Sequence, residues 1–228
     1  MAKALIVLTS HSQMGETEEK TGFWLSELTH PYYAIADRGI QTDIVSIQGG
    51  EAPVDPRSWD EEDKLNVRFM STPELTLLLK NSPSLDDIDP SDYQAIVFAG
   101  GHGTMWDFPD DPDVQDKAAT IYEQGGIVAA ICHGPAALLN IKLSDDTLLI
   151  DGKQVTAFSN AEEEAVQLTE VVPFSLQDEL IINGAKYIEQ PPWSANVVTD
   201  GRLITGQNPQ SAAGVGNAIC DLLQELTS

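Results

Sequence analysis

Cys132 lies where an apolar strand is predicted to turn directly into a helix. The five residues before it, Ile127 to Ile131, are all apolar, and apolar residues resume after Gly134 with helical spacing. The dipole and free N–H groups at the start of such a helix favour a thiolate over a thiol. Small residues flank the cysteine, here Ala130 and Gly134, as in a nucleophile elbow, whose turn is strained and crowded. We therefore expect Cys132 to be a nucleophile with a low pKa. The alternative is a buried cysteine that acts as a small hydrophobe.

The residue after the cysteine is a histidine that can serve as its general base. An imidazole titrates near neutral pH, so His133 is a candidate base or proton shuttle. A carboxylate normally orients such a base, and Glu162, Glu163 and Glu164 follow a strand predicted at 154–158. Spacing does not select one of the three, and for each the alternative is a solvated acid that complements a helix dipole.

A second acidic candidate, Glu27, lies on the first predicted helix among apolar neighbours. Phe23, Trp24 and Leu28 surround it in the sequence. At the mouth of the site, desolvation and the thiolate would keep this glutamate protonated, so that it could donate a hydrogen bond to the sulfur. The alternative is an exposed helix acid.

Glycines at 100, 101 and 103 let the backbone after another predicted strand turn its N–H groups toward an anion. The run lacks the spacing of either phosphate-binding glycine motif. An oxyanion hole fits better, made from the N–H of Gly101 and the N–H of His133, the residue after the nucleophile. The alternative is an ordinary glycine turn.

No metal or cofactor is expected. The histidines, His11, His30, His102 and His133, show neither the H-E-x-x-H nor a cysteine-pair spacing.

Short apolar runs rich in β-branched residues alternate with segments of helical length, which predicts βαβ units and a mainly parallel sheet. The predicted strands are 4–8, 42–47, 95–99, 127–131 and 154–158, with a hairpin of 196–199 and 202–205 about Asp200-Gly201. The predicted helices are 21–38, bent or divided by Pro31, one starting at Thr72-Pro73, and 162–168, 173–182 and 210–226. Function in such a sheet gathers at the carboxyl ends of the strands, where the glycine run and Cys132 lie.

Composition limits the partners of the protein. The 228 residues suit one α/β domain, residues 1–228. Twelve Lys and Arg against 36 Asp and Glu give a charge of −24, which repels nucleic acids and anionic membranes. No segment approaches the ~20 apolar residues of a membrane span, and the N-terminal apolar run is too short for a signal peptide. Two cysteines are too few for a disulfide framework. We expect a cytoplasmic protein with no nucleic-acid or membrane partner.

Two motifs resemble the ThiJ/PfpI superfamily, namely AICHGPA at 130–136 and AGGHGT at 99–104. This superfamily shares a flavodoxin-like fold with class I glutamine amidotransferases. The resemblance narrows to its heat-shock chaperone and glyoxalase III branch, through residues 20–27, His30-Pro31, Gly50, Asp55-Pro56 and 199–209. It implies a three-layer α/β/α sandwich and, as is common in the branch, a homodimer.

The resemblance also implies roles. Cys132 corresponds to the nucleophile, His133 to its adjacent histidine, and Glu27 to the glutamate that hydrogen-bonds the thiolate and is proposed to move protons. Glu163 falls where the branch places the acid that pairs with the histidine. Gly101 and His133 match the backbone oxyanion donors. Ala130 departs from the glycine that the general elbow prefers, although this branch tolerates alanine.

The implied activity is conversion of methylglyoxal to lactate without glutathione or metal, or the related deglycase reaction, with a small dicarbonyl substrate. A glutaminase is disfavoured because no histidine follows His133 in the chain. A cysteine peptidase is one alternative. A holdase chaperone or redox sensor, in which Cys132 oxidises instead of turning over, is another.

Overall fold

A six-stranded sheet forms the centre of the molecule, which a computed structural model describes over residues 2–226. Its strands lie in the order β2-β1-β3-β4-β8-β7, parallel except for the β7–β8 pair. A second, parallel pair is formed by β5 and β6. The strands are β1 Lys3–Leu8, β2 Gln41–Ser46, β3 Ala95–Phe98, β4 Ile127–Ile131, β5 Gln154–Val155, β6 Lys186–Tyr187, β7 Val197–Asp200 and β8 Leu203–Gly206.

Helices connect these strands and cover the sheet. They are α1 Leu25–Ala36, α2 Lys64–Met70, α3 Pro73–Lys80, α4 Thr104–Asp107, α5 Pro112–Glu123, α6 Asn160–Ala165, α7 Leu176–Ile182 and α8 Ala212–Leu226. Short 3-10 helices occur at Pro56–Ser58, Pro90–Asp92, Gly134–Leu138 and Pro209–Ser211. Within residues 2–226, none of the helices combines the length and the apolar character that crossing a bilayer requires.

Strands β1, β2, β3, β4 and β8 send their side chains to two separate apolar cores, because successive residues of a strand point to opposite faces. In β1, Leu5 and Val7 enter one core, while Ala4 and Ile6 enter the other. Residues of α1 and α8 pack in the second core, and residues of α5 and α7 pack in the first. The predicted α/β/α sandwich with a mainly parallel sheet is therefore confirmed.

The order of the first five sheet strands places the site. It is the flavodoxin-like order, in which the chain reverses direction across the sheet at β1 and β3. The carboxyl ends of β1, β3 and β4 consequently lie side by side. The loop after β3 and the turn after β4 meet at this edge, and α1 starts beside it.

Several predicted elements differ from the structure. Pro31 lies inside α1 and does not divide it. The helix expected directly after the elbow is a 3-10 helix, Gly134–Leu138. The strand expected at 154–158 is β5 alone, and the hairpin strands are shifted by one residue, so that Gly201 and Arg202 form the turn. The differences in the strands lie at element ends, where local sequence specifies least.

Candidate active site

The turn after β4 has the geometry of a nucleophile elbow. Cys132 has a φ of 60°, which is a strained conformation for a residue with a side chain. Its N–H donates to the carbonyl of Gly206, and its carbonyl accepts from the N–H of Phe158, each at 2.8 Å. A Cβ at Gly134 would come within 2.2 Å of the Phe98 carbonyl oxygen, so only glycine fits there. Neighbouring strands and this glycine hold the strained cysteine in place.

His133 connects the thiol to a carboxylate. Its Nδ1 lies 3.3 Å from the Cys132 Sγ, and its Nε2 lies 2.7 Å from Glu163 Oε2. Of the three candidate glutamates, only Glu163 contacts the histidine. Glu164 is exposed, and Glu162 is buried in other hydrogen bonds.

A capping box at the start of α6 separates the two buried glutamates. Ser159 accepts from the Glu162 N–H, and the Glu162 side chain accepts from the Ser159 N–H. The S-x-x-E spacing is visible in the sequence and would have assigned Glu162 to the cap. Glu163, one residue further along α6, is then directed toward the elbow.

His102 is a member of the site that the sequence did not assign. Its Nε2 lies 2.7 Å from Glu163 Oε1, so the carboxylate contacts a histidine with each oxygen. Burial and the charge of His133 lower the pKa of His102 to about 4. Burial alone would raise the pKa of Glu163, but the charge of His133 and the hydrogen bonds from both histidines outweigh it and hold that pKa well below its usual range. Glu163 is thus an anion that accepts hydrogen bonds from His133 and from a neutral His102.

Glu27 is fully buried at the start of α1, against the loop that follows β3. Within the described residues, neither of its carboxyl oxygens has a hydrogen-bond partner of good geometry. Its Oε2 would lie 2.4 Å from a Cβ at Gly100, which places the carboxyl against the backbone beside the elbow. Burial raises the pKa of Glu27 well above its usual range, although the Cys132 thiol and the Gly100 backbone act in the opposite direction. The protonated carboxylic acid is therefore the favoured form.

The pKa of the Cys132 thiol is raised, chiefly by burial of the sulfur, and an ionised Glu27 would raise it further. The low pKa expected from the sequence is therefore wrong. That expectation counted the dipole of an α-helix at the elbow, but the structure has one short 3-10 helix there. It also left out the desolvation of the sulfur. Because Glu27 and Cys132 interact, their protons are lost as those of a pair.

Gly101 and His133, the two expected oxyanion donors, both line the cavity over the sulfur. Gly101 has a φ of 108°, and a Cβ there would lie 2.3 Å from the Gly22 carbonyl oxygen. Within residues 2–226, neither backbone N–H donates to another protein backbone group. Both are available to an oxygen of a bound molecule.

The cavity has a volume of about 330 Å³, and among the described residues that line it Arg57 is the one permanent cation and none is a carboxylate. Buried Asp55 holds the guanidinium through Nε and Nη2, and Nη2 lies 3.4 Å from His102 Nδ1. In the sequence, Asp55 is only one of the residues that carry the family resemblance, and no motif predicted that Arg57 belongs to the site. The other lining residues are Trp24, Gly101, His102, Cys132, His133, Phe158, Val166, Trp193 and Pro209.

His102, His133 and Glu163 also offer three ligand atoms within 4.8 Å of one another, which is compatible with a metal ion. Both imidazole Nε2 atoms already contact the Glu163 carboxylate. A metal on these atoms would have to displace both hydrogen bonds. The expectation of a site without metal stays a prediction.

The family model for the DJ-1/PfpI family matches residues 20–222, which is most of the chain. The chain belongs to the DJ-1/PfpI family. This agrees with the ThiJ/PfpI resemblance of the two motifs.

Two curated fungal proteins resemble the chain over almost its whole length. Glyoxalase 3 of Candida albicans is 35% identical over 225 residues, covering 93% of this chain and 94% of that protein. Glutathione-independent glyoxalase HSP31 of Saccharomyces cerevisiae is 32% identical, covering 97% of this chain and 98% of that protein.

Solved structures agree with this assignment to the DJ-1/PfpI family. Rapid Encystment Protein 24 KDa of Francisella tularensis has a TM-score of 0.95 at 52% identity, covering 98% of this chain and 99% of that chain. Glyoxalase III from Candida albicans has a TM-score of 0.90 at 32% identity, covering 96% of each chain. The predicted fold and its similarity to the glyoxalase III branch are confirmed.

Proposed function

We propose that this protein is a glutathione-independent glyoxalase that converts methylglyoxal to lactate. Relatives that align with nearly the whole chain are named as glyoxalases of this kind. The observation that carries the proposal is the Glu27 carboxyl, buried beside Cys132 without a hydrogen-bond partner of its own in the described residues. The reaction needs a proton to move between two adjacent carbons of the bound substrate, and a desolvated carboxyl of raised pKa is suited to carry it.

The first half of the reaction forms a carbon–sulfur bond. His133, held by Glu163, takes the thiol proton through Nδ1, and the sulfur attacks the aldehyde carbon. The aldehyde oxygen becomes negative and accepts hydrogen bonds from the N–H groups of Gly101 and His133. Protonation of that oxygen by the His133 imidazolium gives a hemithioacetal on Cys132.

The second half moves a proton and releases the product. Glu27 first gives its proton to the ketone oxygen. The resulting carboxylate then takes the proton of the former aldehyde carbon, which yields an enediol. It then returns that proton to the neighbouring carbon and takes the hydroxyl proton from the former aldehyde carbon, which gives a lactoyl thioester on Cys132 and restores the Glu27 acid. Water hydrolyses the thioester, so that methylglyoxal plus water becomes lactic acid and the thiol is restored. Neither glutathione nor a redox partner enters this balance.

A product assay tests the proposal. Purified protein is incubated with methylglyoxal, with and without glutathione and with a metal chelator, and lactate is quantified. We expect the same lactate yield under all three conditions, and none from the Cys132→Ser variant. Peptide cleavage without lactate would favour a peptidase, and suppression of aggregation without lactate would favour a holdase chaperone; either result contradicts the proposal.

The substrate class follows from this proposal as a small dicarbonyl. The deglycase reaction would use the same thiolate, and release of a free amine from a methylglyoxal-modified peptide measures it. The homodimer and the cytoplasmic location remain predictions from the sequence. Sedimentation of the purified protein tests the dimer.

A further inference from the structure

A second buried carboxylate, Glu162, lies next to the site but has no part in the mechanism above. It is fully buried and accepts hydrogen bonds from the N–H and the hydroxyl of Ser159, at 3.0 Å each. It also accepts from the Trp193 N–H at 2.9 Å and from the side-chain amides of Gln207 and Asn208 at 3.1 and 2.8 Å. All five donors are neutral. A buried carboxyl group that gathers this many donors fixes the segments that supply them.

Residues 190–194 border the cavity, and we call this segment the 190–194 strap. Of the donors to Glu162, Trp193 belongs to the strap, and Gln207 and Asn208 bind it. The Gln207 side chain pairs with both the N–H and the carbonyl of Gln190, at 2.9 and 3.0 Å. Asn208 donates to the Ser194 carbonyl at 2.8 Å. Glu162 holds the strap through the N–H of Trp193, next to the Ser194 end. Both ends of the strap are therefore tied to the same buried polar cluster.

The backbone of Trp193 is strained, and these hydrogen bonds hold it. Its φ is 65°, in the left-handed region that bulky residues rarely adopt. Such strain persists where the surroundings impose it, and it is concentrated at functional sites. Here it sets the direction in which the Trp193 side chain leaves the backbone.

The indole forms part of the cavity wall over the reacting groups. Trp193 lines the cavity together with Cys132 and His133, and 43% of its surface is exposed. Its ring lies 5.8 Å from that of Phe158, which in turn lies 4.4 Å from the His133 imidazole. A substituent on the carbonyl next to the sulfur would thus meet aromatic faces.

The cavity is larger and more apolar than a three-carbon substrate requires. Its volume of about 330 Å³ falls within the range of sites that hold drug-sized ligands. Five of its ten lining residues are apolar or aromatic: Trp24, Phe158, Val166, Trp193 and Pro209. Methylglyoxal offers one methyl group to this wall.

We propose that Trp193, positioned by Glu162, is a specificity-determining residue that makes the cavity favour 2-oxoaldehydes with an aromatic substituent over methylglyoxal. The inference rests on the proposed glyoxalase function and names its substrate class. Stacking of the substituent on Trp193 and Phe158 supplies the preference. Glu162 acts as a positioning residue, because it contacts the strap and not the substrate.

Initial rates with phenylglyoxal and methylglyoxal test the inference through the ratio of the two kcat/KM values. We expect the ratio, phenylglyoxal to methylglyoxal, to exceed one in the wild type and to fall about tenfold in Trp193→Ala, which corresponds to the loss of one good aromatic contact. Trp193→Phe should keep part of the wild-type preference for phenylglyoxal. Glu162→Gln, which weakens the hold on the strap, should lower the ratio in the same direction. Trp59→Ala is the matched control, because Trp59 is 46% exposed and does not line the cavity.

A wild-type ratio below one, or an equal fall of both kcat/KM values in Trp193→Ala, would overturn the inference while leaving the glyoxalase function intact. Absence of turnover of both substrates by the wild type would overturn the proposed function and this inference with it. The two failures are therefore distinct.

Discussion

His102 and His133 share one carboxylate, with their ring centroids 4.0 Å apart and each Nε2 2.7 Å from a different oxygen of Glu163. A carboxylate only accepts hydrogen bonds, so both Nε2 atoms carry hydrogen. This leaves Nδ1 of His133 to take a proton from the thiol. It leaves Nδ1 of His102 as an acceptor toward Arg57. The shared carboxylate thus fixes the tautomers of both rings.

The N–H that His102 gives to Glu163 should therefore matter for catalysis. His102→Gln keeps an N–H donor at this place, whereas His102→Phe keeps a ring without one. We expect kcat for methylglyoxal to fall about 10- to 100-fold more in the Phe variant, the scale seen when a group that orients an active residue is lost. Steady-state kinetics of the two variants measure this difference. Equal kcat values would show that His102 only fills space.

Burial of neutral His102 should make the fold sensitive to acid. Its pKa of about 4 is below the unfolded value of about 6.5, so the unfolded chain binds more protons between these values. This contribution to stability is present above pH ~6.5 and is lost as the pH falls toward 4. Denaturant unfolding of the wild type should lose up to about 3 kcal/mol more over this window than His102→Gln loses. If the unfolding free energies of wild type and His102→Gln fall equally with pH, His102 is not a buried neutral imidazole.

Glu27 should have the opposite dependence on pH. Its pKa in the folded protein is above the unfolded value, so its contribution to stability is present below pH ~4.3 and is lost as the pH rises toward the folded pKa. Relative to wild type, Glu27→Gln should therefore gain about 1–3 kcal/mol in unfolding free energy between pH 5 and pH 8, the scale of an unsatisfied buried group. The exposed neighbour of the site, Glu164, supplies the control variant Glu164→Gln, which should show no such gain. If the unfolding free energy of both variants relative to wild type does not change with pH, Glu27 lies in an ordinary environment.

The raised pKa of Cys132 predicts alkylation that increases into the alkaline range. The midpoint of its rate against pH should lie above the value of about 8.5 for a free thiol. Methylglyoxal should protect Cys132 but not Cys220, which lies on α8 in a different groove. Peptide mass spectrometry after short labelling reports each cysteine separately. A midpoint below neutrality would restore the low pKa expected from the sequence.

The strand ends and the elbow could be predicted because their signals are local. Uniformly apolar runs mark β1, β3 and β4, and the order of a parallel sheet then brings the following loops together. Gly101 and His133 were assigned from the same signals, and the structure places both at the cavity. Glu163 was selected from its two neighbours only by resemblance.

Other features depend on three-dimensional neighbours that the sequence does not specify. His102 meets Glu163 across 61 positions of the chain, and no spacing rule connects them. The pKa of Cys132 was predicted in the wrong direction because desolvation by surrounding elements outweighs the local turn. The helix α2 was not predicted because only Asn66 and Phe69 of its seven residues are buried, which leaves little apolar periodicity in the sequence.

In the proposed mechanism, Cys132 carries the substrate covalently while Glu27 moves its proton. Wild type, Glu27→Gln and Cys132→Ser are each mixed with methylglyoxal, and lactate and the mass of the intact protein are followed together. We expect Glu27→Gln to gain the mass of one methylglyoxal on Cys132 but to make lactate at least ~100-fold more slowly than wild type. Cys132→Ser should show neither adduct nor lactate. Lactate formation by Glu27→Gln at the wild-type rate, or by Cys132→Ser at all, would contradict these roles of Cys132 and Glu27.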